Sequence, residues 1–217
     1  MRMAPEGWPF IAIGWALVAL VGYAALRWTA WWWGLEVLLV PLAVWLLVFF
    51  RNPERTGPRG DRVVIAPADG RIVSVTETDE PAFLHGRALR VSIFMSVFDV
   101  HVNRYPVSGT VAYRSYNAGK FLHAAADKAS LDNEQSSIGL AGPHGAVLVR
   151  QIAGLIARRI VTDARVGDRA TQGARLGMIR FGSRVDVYLP VTAHPAPQVH
   201  VGDRVAAGAT VLAEYPQ

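Results

Sequence analysis

Three short segments of the chain carry side chains that could take part in chemistry. Asp69 lies in an Ala-Pro-Ala-Asp-Gly turn, His101 follows a very apolar stretch, and Gly182-Ser183 lies between two strand-like runs. A carboxylate and an imidazole can move protons, and a serine hydroxyl can act as a nucleophile. Each segment also has a purely structural interpretation, because turn Asp residues, buried His residues and Gly-Ser turns are common without a function. No single segment therefore assigns a reaction.

Standard catalytic and metal-binding motifs are missing from the sequence. The chain has no Cys, which excludes disulfides, thiolate metal sites and a Cys nucleophile. No two of its six histidines are three or four residues apart, so the sequence predicts no metal site. The single Gly-Lys pair lacks the spacing of a phosphate-binding loop, and Gly139, Gly142 and Gly145 predict only a loose glycine loop.

Short β-branched runs that end at Gly, Pro or Asp dominate the chain after residue 60, and they predict strands. The predicted strands are Arg62–Ala66, Arg71–Thr76, Ala88–Val97, Gly109–Tyr116, Ala146–Ile152, Arg158–Thr162, Leu176–Phe181, Arg184–Leu189 and Val211–Tyr215. In Arg184–Leu189 every second residue is apolar, so the apolar side chains share one face. One helix is predicted at Lys120–Ala129. The sequence therefore predicts an α+β fold with a mostly β catalytic domain.

An internal repeat gives more detail about this domain. Residues 166–176 recur as residues 201–211, with both glycines, the Asp and the Arg in register. Each copy is predicted to form a turn, a short strand and a second turn. Paired copies of this kind resemble the half-motifs of barrel-sandwich folds such as lipoyl and biotinyl carriers. A carrier function fails, because neither Lys120 nor Lys128 lies in or between the repeats.

The first 50 residues form a separate hydrophobic segment, and all seven Trp lie in it. Trp8–Leu26 has no charged residue and Trp28–Phe50 has only Glu36, so each run is long enough to span a bilayer as a helix. The sequence predicts a membrane-anchoring helical hairpin at 1–50, followed by the catalytic domain at 51–217. A signal peptide is the alternative, and a re-entrant hairpin that does not cross the bilayer is a variant.

Basic residues follow the hairpin directly. Arg51, Arg55, Arg59 and Arg62 come after the second run, whereas Arg27 is the basic residue of the connection. This asymmetry predicts a cell-membrane location with the domain on the cytoplasmic side. Arginines beside an apolar hairpin fit anionic lipid head groups, and no aromatic residues for base stacking lie among them. Membrane lipid is therefore the predicted partner, and nucleic acid is not.

Taken together, these segments resemble the phosphatidylserine decarboxylases, specifically their short pro-enzyme form. The resemblance covers residues 52–217 in order, and the two apolar helices are similar to membrane anchors of this family. It rests on the following segments: Ala66–Gly70, Phe98–Pro106 continuing to Gly109, Gly119–Phe121 with Asn133-Glu134 downstream, and Phe181–Ser183.

The resemblance implies a cofactor that the chain makes from itself, a pyruvoyl group at Ser183. The Ser183 hydroxyl would attack the carbonyl carbon of Gly182, and elimination followed by hydrolysis would leave the pyruvoyl group. The cut would give a β chain of residues 1–182 and an α chain of residues 183–217, which would stay together as a heterodimer. The ketone would form a Schiff base with phosphatidylserine and accept electrons as CO₂ leaves, giving phosphatidylethanolamine.

The resemblance also implies roles for further residues. Asp69 would orient or deprotonate the general base, and His101 would supply the base or acid function. The larger branch of the family has a second His three residues after the first, whereas this chain has Arg104. Arg104 would then bind the substrate carboxylate or phosphate, and His144 is a further candidate for substrate binding.

Two other functions remain open from the sequence. One is a related decarboxylase that acts on another serine-headed lipid, such as an archaetidylserine. The other is a non-catalytic, membrane-anchored barrel-sandwich module, which the repeat alone would also fit. The family resemblance further implies a homodimer of the cleaved protein.

Overall fold

The computed structural model describes residues 2–119, 133–154, 159–180 and 183–216. The chain divides into two compact units, Met1–Glu54 and Arg55–Gln217. The helix predicted at Lys120–Ala129 lies outside the described residues, and so does Gly182 of the predicted cleavage site.

The first unit is a hairpin of two apolar helices, as the sequence predicts. Its elements are β1 (Arg2–Met3), α1 (Trp8–Arg27), α2 (Trp32–Phe49) and β2 (Arg51–Asn52), and β1 pairs with β2. The helices approach closely at glycine, since a methyl group at Gly22 would lie 3.2 Å from Oε1 of the buried Glu36. Both helices are long and apolar enough to cross a membrane, by length and composition.

The second unit is built from antiparallel strands, because short β-branched runs alternate with turns along its sequence. The strands are β3 (Val63–Ile65), β4 (Gly70–Glu80), β5 (Gly86–Met95), β6 (Val102–Arg104), β7 (Gly109–Asn117), β8 (Gln135–Gly142), β9 (Gly145–Ala153), β10 (Ile160–Thr162), β11 (Arg169–Ala170), β12 (Arg175–Ile179), β13 (Ser183–Pro190), β14 (Ala196–Pro197), β15 (Arg204–Val205) and β16 (Val211–Glu214). Each of the nine predicted segments contains a strand, which confirms the mostly β domain.

One large sheet and two small sheets make up this unit. The large sheet has the order β11-β7-β8-β9-β13-β5-β4-β15, and the small sheets have the orders β10-β12-β6 and β14-β16-β3. Strand β13 lies between β9 and β5, and both of its faces are buried. Its residues Val185, Val187 and Leu189 all belong to the main hydrophobic core, as the alternation predicts.

The glycine loop expected at Gly139, Gly142 and Gly145 is wrong. Gly139 lies inside strand β8, and Gly142 and Gly145 bound a tight turn that leads into β9. A side chain at position 139 would lie 2.6 Å from the ring of Phe83, so the glycine makes room for an aromatic residue distant in sequence. Three glycines therefore mark a hairpin with one close contact.

The repeat of 35 residues forms the same structure twice. Asp168 accepts a hydrogen bond from the Arg165 N–H, and Asp203 accepts one from the His200 N–H, both at 2.8 Å. The second glycines, Gly173 and Gly208, have φ of +81° and +72°, a backbone conformation that favours glycine. These values confirm the predicted pairs of turns.

The strands that receive the two repeats are also duplicated, with an offset of 39 residues. The Ile65 N–H donates to the carbonyl of Pro106 at 3.0 Å, and the Arg104 N–H donates to the carbonyl of Pro67 at 2.9 Å. These two bonds are equivalent when 39 is added to the first number of one pair and subtracted from the second. The segments Ala66–Gly70 and 105–109 are therefore equivalent parts of a pseudo-twofold arrangement.

Candidate active site

Ser183 is the first residue of the central strand β13 and is fully buried. It pairs with Met95 on one side and with Ala153 on the other. Its hydroxyl donates to the Sδ atom of Met95 at 3.4 Å. Because a thioether is a weak acceptor, the hydroxyl keeps most of its capacity for a stronger partner.

Buried amides surround this position, and one of them carries no signal in the sequence. Asn103 donates to the Sδ atom of Met95 at 3.8 Å and accepts from Nε2 of Gln151 at 2.8 Å. Asn133 donates to the carbonyl of Ala153 at 2.7 Å. Asn103 and Asn133 lie in the segments that resemble the family, whereas Gln151 lies in an ordinary strand sequence. Its role depends on strand pairing and could not be predicted.

His101 is fully buried and lies directly before strand β6. Its Nδ1 atom lies 2.9 Å from the carbonyl oxygen of Asp99. Since a carbonyl can only accept, Nδ1 carries the hydrogen, and in the neutral ring the basic lone pair is on Nε2. Strand β6 carries Asn103 two residues later, so the strand that begins after His101 reaches the surroundings of Ser183.

Asp69 lies in the turn between β3 and β4, and two groups hold its carboxylate. Oδ1 accepts from the Ala207 N–H at 2.7 Å, and Oδ2 pairs with Nη2 of Arg55 at 2.6 Å. The turn also needs Gly70, because a methyl group there would lie 2.1 Å from the carbonyl oxygen of Phe94. This close approach places the Asp69 turn against the end of β5, next to Met95.

The pseudo-twofold arrangement shows what is special about Asp69. Its equivalent in the other half is Ser108, whose Oγ accepts from the Gln172 N–H at 3.1 Å. Gln172 precedes Ala207 by the repeat offset of 35 residues, so the two backbone bonds are equivalent. A serine is thus sufficient for the structural hydrogen bond, and the charge and second oxygen of Asp69 exceed what the turn needs.

Arg104 and Arg55 lie beside Asp69. Arg104 donates through Nη1 to the carbonyl of Gly173 at 2.9 Å. The pKa of the Arg104 guanidinium is lowered, first by burial and then by the positive charge of Arg55, while the charge of Asp69 acts in the opposite direction. Sequence reasoning assigned Arg55 to the membrane surface, because a separation of 14 residues gives no sign that it pairs with Asp69.

His144 lies far from Ser183. It occupies the turn before β9, whereas Ser183 pairs with the last residue of that strand. The nine residues of β9 span about 30 Å at about 3.4 Å per residue. The His144 ring instead stacks on Tyr215, with ring centres 5.1 Å apart, beside an open cavity of about 480 Å³ that Arg59 also lines. The structure does not bring His144 together with the other candidates.

A buried ion pair holds the residue that follows Ser183. Nε of Arg184 pairs with Oδ1 of Asp186 at 2.6 Å, and the Arg184 side chain is only 1% exposed. Arg184 also donates through Nη2 to Oγ of Ser92 on β5 at 2.8 Å. Burial, with Asp186 adding, raises the pKa of the neighbouring Tyr188 to about 12. These bonds fix the backbone directly after position 183.

The end of β5 therefore connects the candidate residues. Phe94 contacts the Asp69 turn, and Met95 contacts both Ser183 and Asn103. Within the described ranges, no group of three or more His, Asp or Glu side chains could hold a metal ion. The arrangement offers a nucleophilic hydroxyl in a buried place, a fixed carboxylate and an imidazole, which suits acyl transfer and proton transfer.

Comparisons with known proteins agree with this chemistry. A family model described as phosphatidylserine decarboxylase matches residues 42–213. A phosphatidylserine decarboxylase proenzyme of Symbiobacterium thermophilum is 51% identical over 216 residues, covering 99% of this chain and 96% of the relative. Proenzymes of the same description from Aromatoleum aromaticum and Syntrophotalea carbinolica are 46% and 49% identical, and each comparison covers at least 97% of this chain and at least 95% of the relative.

Proposed function

The chain belongs to the phosphatidylserine decarboxylase family, and we propose that it cuts itself before Ser183 to become a pyruvoyl enzyme that decarboxylates phosphatidylserine. The observation that carries this proposal is the place of Ser183, fully buried at the start of the central strand with its hydroxyl on a weak acceptor. The products are phosphatidylethanolamine and CO₂.

Self-cleavage needs no reagent besides water. The Ser183 oxygen attacks the carbonyl carbon of Gly182, the peptide C–N bond breaks, and an ester replaces the amide. Loss of the proton on Cα of Ser183 then expels the carboxylate of residues 1–182 and leaves a dehydroalanine. Addition of water and loss of ammonia convert the dehydroalanine into the pyruvoyl group.

Position 183 suits this group, which supplies an electrophilic ketone for the substrate amine and takes up the electrons released with CO₂. The site is buried, so bulk water is excluded from it. The Arg184–Asp186 pair and the bond to Ser92 hold the next residue in place after the cut. The new chain end therefore stays where Ser183 was.

Proton transfer falls to His101 and Asp69 in this proposal. The Asp99 carbonyl fixes the tautomer of His101, so that Nε2 is the basic atom. Asp69 is held by Arg55 and the Ala207 N–H, which keeps the carboxylate charged and oriented. Arg104 occupies the position of the second His of the larger branch, and its lasting positive charge suits an anionic group of the substrate.

The apolar hairpin suits a lipid substrate. Two helices that are long and apolar enough to span a bilayer precede the catalytic unit, and basic residues follow them. We place the catalytic unit on the cytoplasmic side of the cell membrane, in accordance with the positive-inside tendency. The functional form is the pair of cleaved chains, and a homodimer of these pairs is the expected assembly.

Intact mass measurement of the purified full-length chain tests the proposal. The native chain should give two polypeptides, residues 1–182 and 183–217, with a pyruvoyl group on the second. Ser183→Ala should give one chain of 217 residues without decarboxylase activity, because no hydroxyl is present to attack. Ser74→Ala, which changes an exposed serine of β4, is the matched control and should be cleaved normally.

Two results would contradict the proposal. An active native protein that remains one chain would exclude the pyruvoyl mechanism, and so would activity in Ser183→Ala. Phenylhydrazine, which reacts with ketones, should inhibit the mature enzyme, whereas a non-catalytic module would be insensitive. Assays with phosphatidylserine and archaetidylserine vesicles separate the two lipid substrates.

A further inference from the structure

Three arginines converge at the two repeat turns of the catalytic unit. Arg55, Arg59 and Arg104, here called the arginine trio, approach Gly173 and Gly208, the equivalent second glycines of the two repeats. A methyl group at Gly173 would lie 2.5 Å from Nη2 of Arg59, and one at Gly208 would lie 2.8 Å from Cδ of Arg104. The same methyl group at Gly208 would lie 3.4 Å from Cβ of Arg55. The two bare turns therefore leave room for the three side chains.

The positive charge of the trio exceeds the negative charge that Asp69 brings to it. Asp69 pairs with Arg55 at 2.6 Å and also acts favourably on Arg104. The charges of Arg55 and Arg59 both act against the protonated form of Arg104, which is half-buried. Like charges gathered in a partly buried place raise the free energy of the site unless an anion joins them.

One donor of the trio lacks an acceptor within the part of the chain that the structure describes. This donor is Nε of Arg55, which is buried. The Nη2 atom of the same side chain is already bound to Asp69. A buried N–H group without an acceptor costs free energy, and an oxygen atom of a bound anion would remove that cost.

The chemistry of the trio favours a phosphate group over a carboxylate. Guanidinium groups bind phosphate oxygens in pairs and carry a permanent charge. The substrate carboxylate must leave as neutral CO₂, so cations bound to it would stabilise the starting state and slow the reaction. Arg55 follows the end of α2 by only six residues in the chain, among sequence that adjoins the apolar hairpin.

We infer that the arginine trio is a binding site for a phosphate-type oxyanion, either the phosphodiester of a lipid head group or free phosphate. This inference rests on the proposed function and deepens it by naming the residues that hold the head group. Arg59 is the adjustable member, because it is exposed and lines the open cavity of about 480 Å³. Arg55 and Arg104 are the fixed members through their bonds to Asp69 and the Gly173 carbonyl.

Binding to the uncleaved Ser183→Ala chain tests the inference separately from catalysis. Titration calorimetry in a zwitterionic detergent uses inorganic phosphate and glycerophosphoserine at constant ionic strength, with chloride as the reference anion. Arg59→Gln should weaken phosphate binding about tenfold, equivalent to about 1.4 kcal/mol. Arg114→Gln, on the exposed part of β7, is the matched control and should bind as the parent chain does.

The outcomes separate the two sources of phosphate. Binding of glycerophosphoserine that competes with phosphate supports the lipid head group, and binding of inorganic phosphate alone assigns the site to the free ion. Phosphate binding no stronger than chloride binding overturns the inference, as does equal phosphate binding by Arg59→Gln and Arg114→Gln. In the mature enzyme, Arg59→Gln should raise KM for phosphatidylserine about tenfold with a much smaller change in kcat.

Discussion

At the scale of single residues, the comparison of Asp69 with Ser108 separates a structural role from a chemical one. Both side chains accept a backbone hydrogen bond from the repeat that faces them, at 2.7 Å for Asp69 and 3.1 Å for Ser108. Only Asp69 adds a charge, which pairs with Arg55. The protein therefore contains its own control for the loss of this carboxylate.

Asp69→Ser should keep the fold and slow self-cleavage by about 100-fold or more, because a serine can accept the Ala207 bond but cannot orient or receive a proton as a carboxylate does. The rate is measured as the decay of the full-length mass after synthesis in a cell-free system. Circular dichroism should show an unchanged content of β-structure.

Ser108→Ala is the matched change in the other half. It removes the acceptor of the Gln172 N–H and should lower the free energy of unfolding by about 1 kcal/mol, with cleavage at the normal rate. Equal slowing of cleavage in the two variants would mean that Asp69 acts only through the structure of its turn.

At the scale of elements, strand β13 combines two different environments. One face belongs to the apolar core, and the other carries Arg184, Asp186 and Tyr188 in a connected polar network. Arg150 of β9 extends the network from Tyr188 to Glu80 of β4. Every charge in this layer has a partner, so the strand is fixed on both sides directly after Ser183.

Arg184→Met should lower the free energy of unfolding by about 3–5 kcal/mol, because it leaves the buried Asp186 without its cation. Ser92→Ala removes one hydrogen bond from the same arginine and should cost about 1 kcal/mol. Both are measured by denaturant unfolding in the uncleaved Ser183→Ala chain. Similar losses for the two variants would show that the ion pair contributes little to holding β13.

Most elements were predictable because their signals are local. The alternation in Arg184–Leu189, the repeat turns and the apolar helices are all present as the sequence indicates. Strand β8 was missed because its glycines resemble a loop, and the reason for Gly139 is the ring of Phe83, which is 56 residues away in the chain. A contact of that range leaves no trace in local periodicity.

The site was predictable in part. Ser183, His101 and Asp69 could be chosen from their segments by family resemblance, and all three lie in the catalytic unit. The partners that position them could not be chosen, because Arg55, Met95 and Ala207 reach the site through strand pairing and turns. Arg55 was assigned a membrane role because neighbouring arginines suggested one common function.

At the scale of the whole molecule, the segment after the proposed cut is interwoven with the rest of the catalytic unit. Strand β13 pairs with β9 and β5, β15 pairs with β4, and β16 pairs with β3. All four partner strands lie before residue 182. Separation of the two chains would expose the core of the unit, including Val185 and Leu212.

The mature protein should therefore behave as one particle without a covalent link. Native mass spectrometry should give a mass close to that of the 23.6 kDa chain, or a multiple of it, while denaturing conditions should release a peptide of residues 183–217. Loss of this peptide during purification in mild detergent would contradict the interwoven arrangement.

The central place of β13 also gives the protein a one-way history. Before the cut, β13 can insert between β9 and β5 as part of a single chain, with the entropy cost of closing a loop. After the cut, the same insertion would require two molecules to meet, so recovery from denaturation would depend on concentration. Heat-treated mature enzyme should regain little activity on cooling at high dilution, whereas the uncut Ser183→Ala chain should recover its structure. The lifetime of this catalyst is then set by its rate of unfolding and not by its folding equilibrium.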